Sequence, residues 1–205
     1  MKNSKKVVIK LGSSLLTNSR GGVNKSVLKN VVEDIVWLLN LQKEVIVVSS
    51  GAISLGRGRL NINHGLTLNE SQAVAASGQI ELMTAWKNEF KKYKKHVAQI
   101  LLSPSDIKNK KSSKNAMATL ENLWNFNCVP IINENDTTST DEIKFGDNDI
   151  LAAQIATLIK ADHLILLSNV DGLYKEPPKN NKNDDLVLEV KTITQKIKNK
   201  TGTNS

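Results

Sequence analysis

The chain has 205 residues, 40% apolar and 23% charged, which suits one substantial globular domain and excludes a disordered or fibrous chain. No stretch approaches the roughly 18 uninterrupted apolar residues of a membrane span, the basic start lacks a signal-peptide pattern, and the lone Cys128 excludes a disulfide framework or multi-cysteine zinc site. The net charge of +8 admits a nucleic-acid surface, but the cations are nearly all lysines, about half of them clustered in 87–95, 108–114 and 191–200, runs that read as solvated faces and loops. A cytoplasmic protein with no nucleic-acid or membrane partner is expected.

The first apolar run, Lys6–Leu11 (KVVIKL), reads as a strand buried on both faces and interrupted only by Lys10. Residues 27–39 place Val27, Leu28, Val31, Val32, Ile35, Leu38 and Leu39 on one helical stripe, with Asn24 as the cap. A second strand is expected over 44–48 (EVIVV), one or two helices over 68–93, and a third strand over His96–Leu102 (HVAQILL). A helix over 116–124, a strand over 128–132 (CVPII), a helix over 149–159 and a strand over His163–Leu167 (HLILL) complete the alternation. Pro130 lacks a ladder donor, so it belongs near its strand's start or at a bulge. The Lys- and Asn-rich segments 108–114 and 175–185 read as surface loops, and 198–205 as a mobile tail. This order predicts the α/β class with a largely parallel sheet.

In open α/β sheets, ligands bind outside the carboxyl ends of the strands. Here those ends carry Gly12-Ser13-Ser14, Ser49-Ser50-Gly51-Ala52, Ser103, Asn133-Glu134-Asn135-Asp136 and Ser168-Asn169. Such residues are also ordinary turn and cap residues, and both readings stand. Gly12 would let backbone N–H groups approach an anion closely, and Gly51 looks like a second close-approach turn opening a helix. There is no Gly-Lys-Ser or Gly-Lys-Thr for a P-loop, and Gly56-Arg57-Gly58 lacks the third glycine of a dinucleotide fingerprint. Lys10 is either a snorkelling edge lysine or a cation fixed beside phosphate. The acidic cluster at 133–136 and 145–149 suits an ammonium group, Mg²⁺ or lysine charges, and lacks the spacing of a calcium loop. His64, His96 and His163 are far apart and give no nucleophilic triad.

VVIKLGSSLLT, VVSSGAISLG, AASGQ, PIINENDTT, IKFGDNDILAA and LLSNVDGLY resemble, in this order, the amino acid kinase family over residues 5–190. SSGAI, NEND and GDND resemble the branch that phosphorylates the γ-carboxylate of L-glutamate, the first step of proline synthesis. The resemblance implies an αβα sandwich around a mainly parallel sheet, with ATP and Mg²⁺ as cofactors and γ-glutamyl phosphate as product. It also implies a homo-oligomer and feedback inhibition by proline, with loop 60–67 near such a site. By the same resemblance Lys10 contacts the ATP phosphates, and Asp149 orders the active-site lysines. Ser50, Asp136 and Asn148 bind glutamate. Gly12, Ser168 and Asn169 bind nucleotide, the last two standing where the family often has Thr-Asp. Asp147 is a magnesium contact, and Glu176-Pro177 replaces a common Asp-Pro pair. The family continues into a Gly-Thr-Gly-Gly-Met loop with a second lysine, and often into a C-terminal RNA-binding-like (PUA) domain. Residues 1–205 are therefore expected to be an amino acid kinase domain incomplete at its C-terminal end, without the PUA domain. The second reading is a non-catalytic amino-acid-binding or regulatory protein of the same fold.

Overall fold

A computed structural model describes residues 5–138, 148–174, 186–195 and 197. The five apolar runs are its strands: β1 (Lys6–Leu11), β2 (Glu44–Ser49), β3 (His96–Leu102), β4 (Cys128–Glu134) and β5 (His163–Leu167). They form one sheet in the order β3-β4-β2-β1-β5, and every pairing is parallel. The crossovers are α1 (Ser13–Leu16), α2 (Lys25–Asn40), α3 (Ala52–Leu60), α4 (Leu68–Lys91), α5 (Pro104–Lys108), α6 (Lys110–Asn125) and α7 (Asn148–Leu158). Among the described residues no helix is long and apolar enough to cross a membrane.

Strand periodicity divides the core in two. Val7, Ile9, Leu11, Val45, Val47 and Ile131 pack against Val32 and Ile35 of α2 and Leu82, Trp86 and Phe90 of α4. Their neighbours Val8, Ile46, Val48 and Ile132 pack on the opposite face with Leu120 of α6 and Leu151, Ala152 and Ile155 of α7. The architecture is therefore an αβα sandwich, and it explains why the inner strands read as unbroken apolar runs.

Three local readings are refined. Residues 68–93 are one helix, α4, started by a capping box in which Thr67 and Glu70 satisfy each other's backbone N–H groups. The lysine-rich 108–114 is exposed but helical, not a loop. Asn109 ends α5 and starts α6, its side chain accepting from Lys111 N and Ser112 N, both at 3.0 Å. Lysine is itself a good helix former, so charge alone did not indicate a loop. Pro130 is third in β4 and precedes the ladder to β2, which pairs Val47 with Ile131 and Val48 with Ile132, so its missing N–H interrupts no part of that ladder.

The chain divides into two compact units, 1–168 and 169–205, and the sheet lies in the first. In the second, Tyr174 and Leu186 form an antiparallel bridge, and Val187 N donates to Leu173 O at 2.7 Å. The predicted loop at 175–185 and the tail at 198–205 lie outside the described residues.

Helices α3 and α4 touch through their backbones. A Cβ on Gly78 would overlap the Ala52 carbonyl oxygen, and one on Gly56 would overlap the Val74 carbonyl oxygen. Gly78→Ala would gain about 1 kcal/mol of helix propensity. It must, however, displace rigid backbone, and overpacking costs about 1–3 kcal/mol or more. Gly78→Ala is therefore expected to lower the urea midpoint, whereas Gly65→Ala, which meets nothing within 4 Å, should not. A Gly78→Ala midpoint at or above the parent's would refute the close-approach argument.

Candidate active site

Lys10 alternates with Val7, Ile9 and Leu11, so it falls on the face covered by α6 and α7. Its strand lies between β2 and β5, which removes the edge-lysine reading. Only 8% of Lys10 is exposed, and its Nζ lies 2.6 Å from Asp149 Oδ1 in the first turn of α7. Burying an ammonium without a partner is prohibitive, so this ion pair is what allows a lysine inside the sheet. Asp149 is half-exposed, which leaves the pair open to solvent on one side.

The backbone N–H of Gly12 is already engaged. It donates to Leu167 O at 3.1 Å and ties the turn to β5, so it does not await an anion. A Cβ at Gly12 would stand 3.6 Å from Lys10 Nζ. The missing side chain therefore keeps the space beside the ammonium clear.

The ends of β2 and β4 meet the start of α7 through one amide. Asn148 Nδ2 donates toward Ser49 O (2.9 Å), Ser50 Oγ (3.0 Å) and Asn133 Oδ1 (2.8 Å). Asn133 Oδ1 also accepts from Glu134 N at 2.9 Å. Beneath them the indole of Trp86 donates to Ser49 Oγ at 3.0 Å, and that hydroxyl donates to Ser50 O. Ser49, Ser50, Asn133, Glu134 and Asn148 are all buried, as polar groups can be only when such partners are present. Gly51 then turns into α3 at φ +105°, a left-handed conformation that favours glycine.

A cleft of about 280 Å³ opens over this lattice, lined among others by Ser50, Ser54, Arg57, Glu134, Asp136 and Asn148. Burial and the neighbouring Glu134 charge push the Asp136 carboxyl up to about 6, against the pull of its own backbone N–H. The fold thus brings Ser50, Asp136 and Asn148 to one cleft, and Lys10 and Asp149 to one ion pair. Ser168 is exposed directly after β5, and Asn169 opens the second unit. Asp147 lies outside the described residues. Ser103 is a cap: its hydroxyl pairs with Asp106 in a capping box at the start of α5. Sequence reasoning missed Arg57, Trp86 and the bridging role of Asn133. Arg57 did carry a signal, as one of only three arginines among 28 basic residues.

Among the described residues no three His, Cys, Asp or Glu side chains converge as a metal site. Mg²⁺ at phosphoryl-transfer sites commonly relies on substrate phosphates and water with only one or two carboxylates, so it asks for no such cluster.

The Asp136 carboxyl has a measurable consequence. Between its ordinary value of 3.8 and about 6, the folded protein keeps a proton that the unfolded chain has released. This group therefore makes folding less favourable as pH rises through that window. Carboxyl NMR should show Asp136 titrating near pH 6, and Glu134→Gln should move it downward by removing the like charge. An unmoved midpoint would mean that Glu134 is not a source of the shift.

The chain matches the amino acid kinase family over residues 5–204. It is 47% identical to the glutamate 5-kinase of Pelagibacter ubique over 198 residues, covering 96% of this chain and 54% of that protein. Glutamate 5-kinase 1 of Rhizobium meliloti is also 47% identical, with 96% of this chain and 50% of that protein covered. For the glutamate 5-kinase of Brucella anthropi the identity is 44%, with coverage of 96% and 52%. The chain thus spans about half the length of the curated relatives it matches. The crystal structure of a UMP kinase from Bacillus anthracis shares the fold at a TM-score of 0.59 and 21% identity, over 88% of this chain and 71% of that one. The match of sequence over nearly the whole chain, carried on the same sandwich fold, makes the chain a member of the amino acid kinase family.

Proposed function

We propose that this chain serves the ATP-dependent phosphorylation of the γ-carboxylate of L-glutamate, giving γ-glutamyl phosphate in the first step of proline synthesis. The observation that carries the reading is the Asn148 amide, which joins Ser49, Ser50 and Asn133 into one buried lattice under a cleft walled by Asp136. The three glutamate 5-kinases to which the chain is similar support the same substrate. In this reading residues 1–205 belong to one amino acid kinase domain, working in the cytoplasm as a homo-oligomer under proline feedback and without nucleic-acid partners.

The chemistry asks little of acid–base groups. A γ-carboxylate is already anionic near pH 7, so it can attack the γ-phosphorus of ATP in line without a general base. Catalysis then rests on positioning and on compensating charge. Asp136 takes the substrate ammonium, with Glu134 deepening the negative field. Ser50 and Asn148 orient the substrate. Lys10 lies against the phosphates and neutralises charge developing on the transferring group, while Asp149 fixes where its ammonium sits. Gly12 leaves room for the phosphates, and Ser168 and Asn169 contact the nucleotide. Mg²⁺ would come with the nucleotide and would add neutralisation of the phosphates, Asp147 being the contact that the resemblance implies for it.

Glutamate-dependent ADP release by the purified full chain, with the acyl phosphate trapped by hydroxylamine, tests the reading. Asp136→Ala should raise the apparent KM for glutamate far more than that for ATP. Lys10→Met should lower kcat by about 10²–10³, the usual loss for one well-placed charged donor. ADP release indifferent to glutamate would refute the proposal, and glutamate binding without any turnover would favour the non-catalytic reading.

A further inference from the structure

Helix α3 carries Gly56-Arg57-Gly58, and each glycine is a point where backbone meets backbone. A Cβ on Gly56 would overlap Val74 O of α4, and one on Gly58 would overlap the Gly21 carbonyl of the turn after α1. With both flanks seated, α3 cannot rotate or slide without breaking one contact. Arg57 is thereby held at the cleft wall, where it is the only cationic side chain among the described lining residues. Arg59, two positions on, pairs with Glu81 of α4 instead.

The guanidinium also donates to His64 O in the loop between α3 and α4. That bond uses part of a group with five N–H donors, whose planar fork matches a carboxylate. Glu134 and Asp136 line the same cleft. One cation and two carboxylates lining a single cleft suit a bound α-amino acid, which carries one charge of each sign on the same carbon.

We propose that Arg57 receives the α-carboxylate of the amino-acid substrate and so selects α-amino dicarboxylates over simpler γ-carboxylates. This assignment rests on the proposed glutamate site and gives it a second pole. The ammonium goes to the acidic wall and the α-carboxylate to Arg57, which leaves the γ-carboxylate as the end directed to phosphoryl transfer.

The alternative is that Arg57 only braces the 61–67 loop through His64. Three ligands separate the two: L-glutamate, 4-aminobutanoate, which lacks the α-carboxylate, and glutarate, which lacks the ammonium. Ligand-detected NMR titrations of the purified full chain would compare the parent with Arg57→Gln, Arg57→Lys and Asp136→Asn. Arg57→Gln should weaken glutamate and glutarate about 10- to 100-fold, the range for one charge-assisted hydrogen-bonded contact. Its effect on 4-aminobutanoate should stay within about twofold, and Arg57→Lys should recover part of the loss. Asp136→Asn should show the complementary pattern, with glutamate and 4-aminobutanoate weakened and glutarate spared. Equal losses for all three ligands in Arg57→Gln would mean a bracing role and overturn the assignment, as would no loss for any. If the parent bound none of the three, the glutamate site itself would fall, and the assignment with it.

Discussion

A parallel sheet covered on both faces has almost nowhere to put a polar side chain except at the ends of its strands. The apolar inner residues of β1, β2 and β4 pack with helix side chains on one face or the other, and an unpartnered polar atom there would cost as much as several good contacts supply. Most of the buried polar side chains among the described residues therefore lie at or beside the strand ends, where they must be satisfied. The Asn148 amide, the Ser49–Ser50 turn, Asn133 and the Trp86 indole form one hydrogen-bonded set. Lys10 is the exception inside a strand, tolerated because Asp149 reaches it from the helix above. Strand order places these groups side by side: β1, β2 and β4 are adjacent, so their carboxyl ends form one continuous rim.

The same constraint explains what could be read in advance. Both-face burial writes itself into sequence as unbroken β-branched runs, so all five strands were legible, as was the Asn24 cap of α2, whose side chain accepts from Val27 N. The rim was legible too, because small and polar residues interrupt apolar runs abruptly. Its division of labour was not. Ser50 and Ser103 both follow strands, yet one faces the cleft and the other caps α5, and only the partner three residues later, Asp106, tells them apart. The N–H of Gly12 goes to β5, a pairing between residues far apart in sequence that nothing local announced. Helicity at 108–114 was hidden because solvated lysines carry no hydrophobic period, the one signal by which amphipathic helices announce themselves. Trp86 looked like any buried aromatic on a helical stripe. Its indole N–H needed a partner, and nothing local named Ser49.

Glycine has two separate uses around the cleft. At Gly51 it supplies a backbone conformation that other residues reach with strain. At Gly56, Gly58 and Gly78 it supplies thinness, letting α3 lie against α4 and against the turn at Gly21. Thinness thus adds backbone contacts to the side-chain packing by which Ala52 and Leu55 of α3 join the core. The cleft wall is consequently built on an element held by backbone and side chains together.

Asn148 and Asp149 are neighbours, and successive positions on a helix turn by about 100°. One side chain accordingly enters the lattice under the cleft while the next reaches Lys10. The first turn of α7 thus supports two separate sets of contacts, the buried lattice under the cleft and the buried ammonium of Lys10. A substitution that frays this single turn therefore disturbs both at once, although the two sets share no side chain.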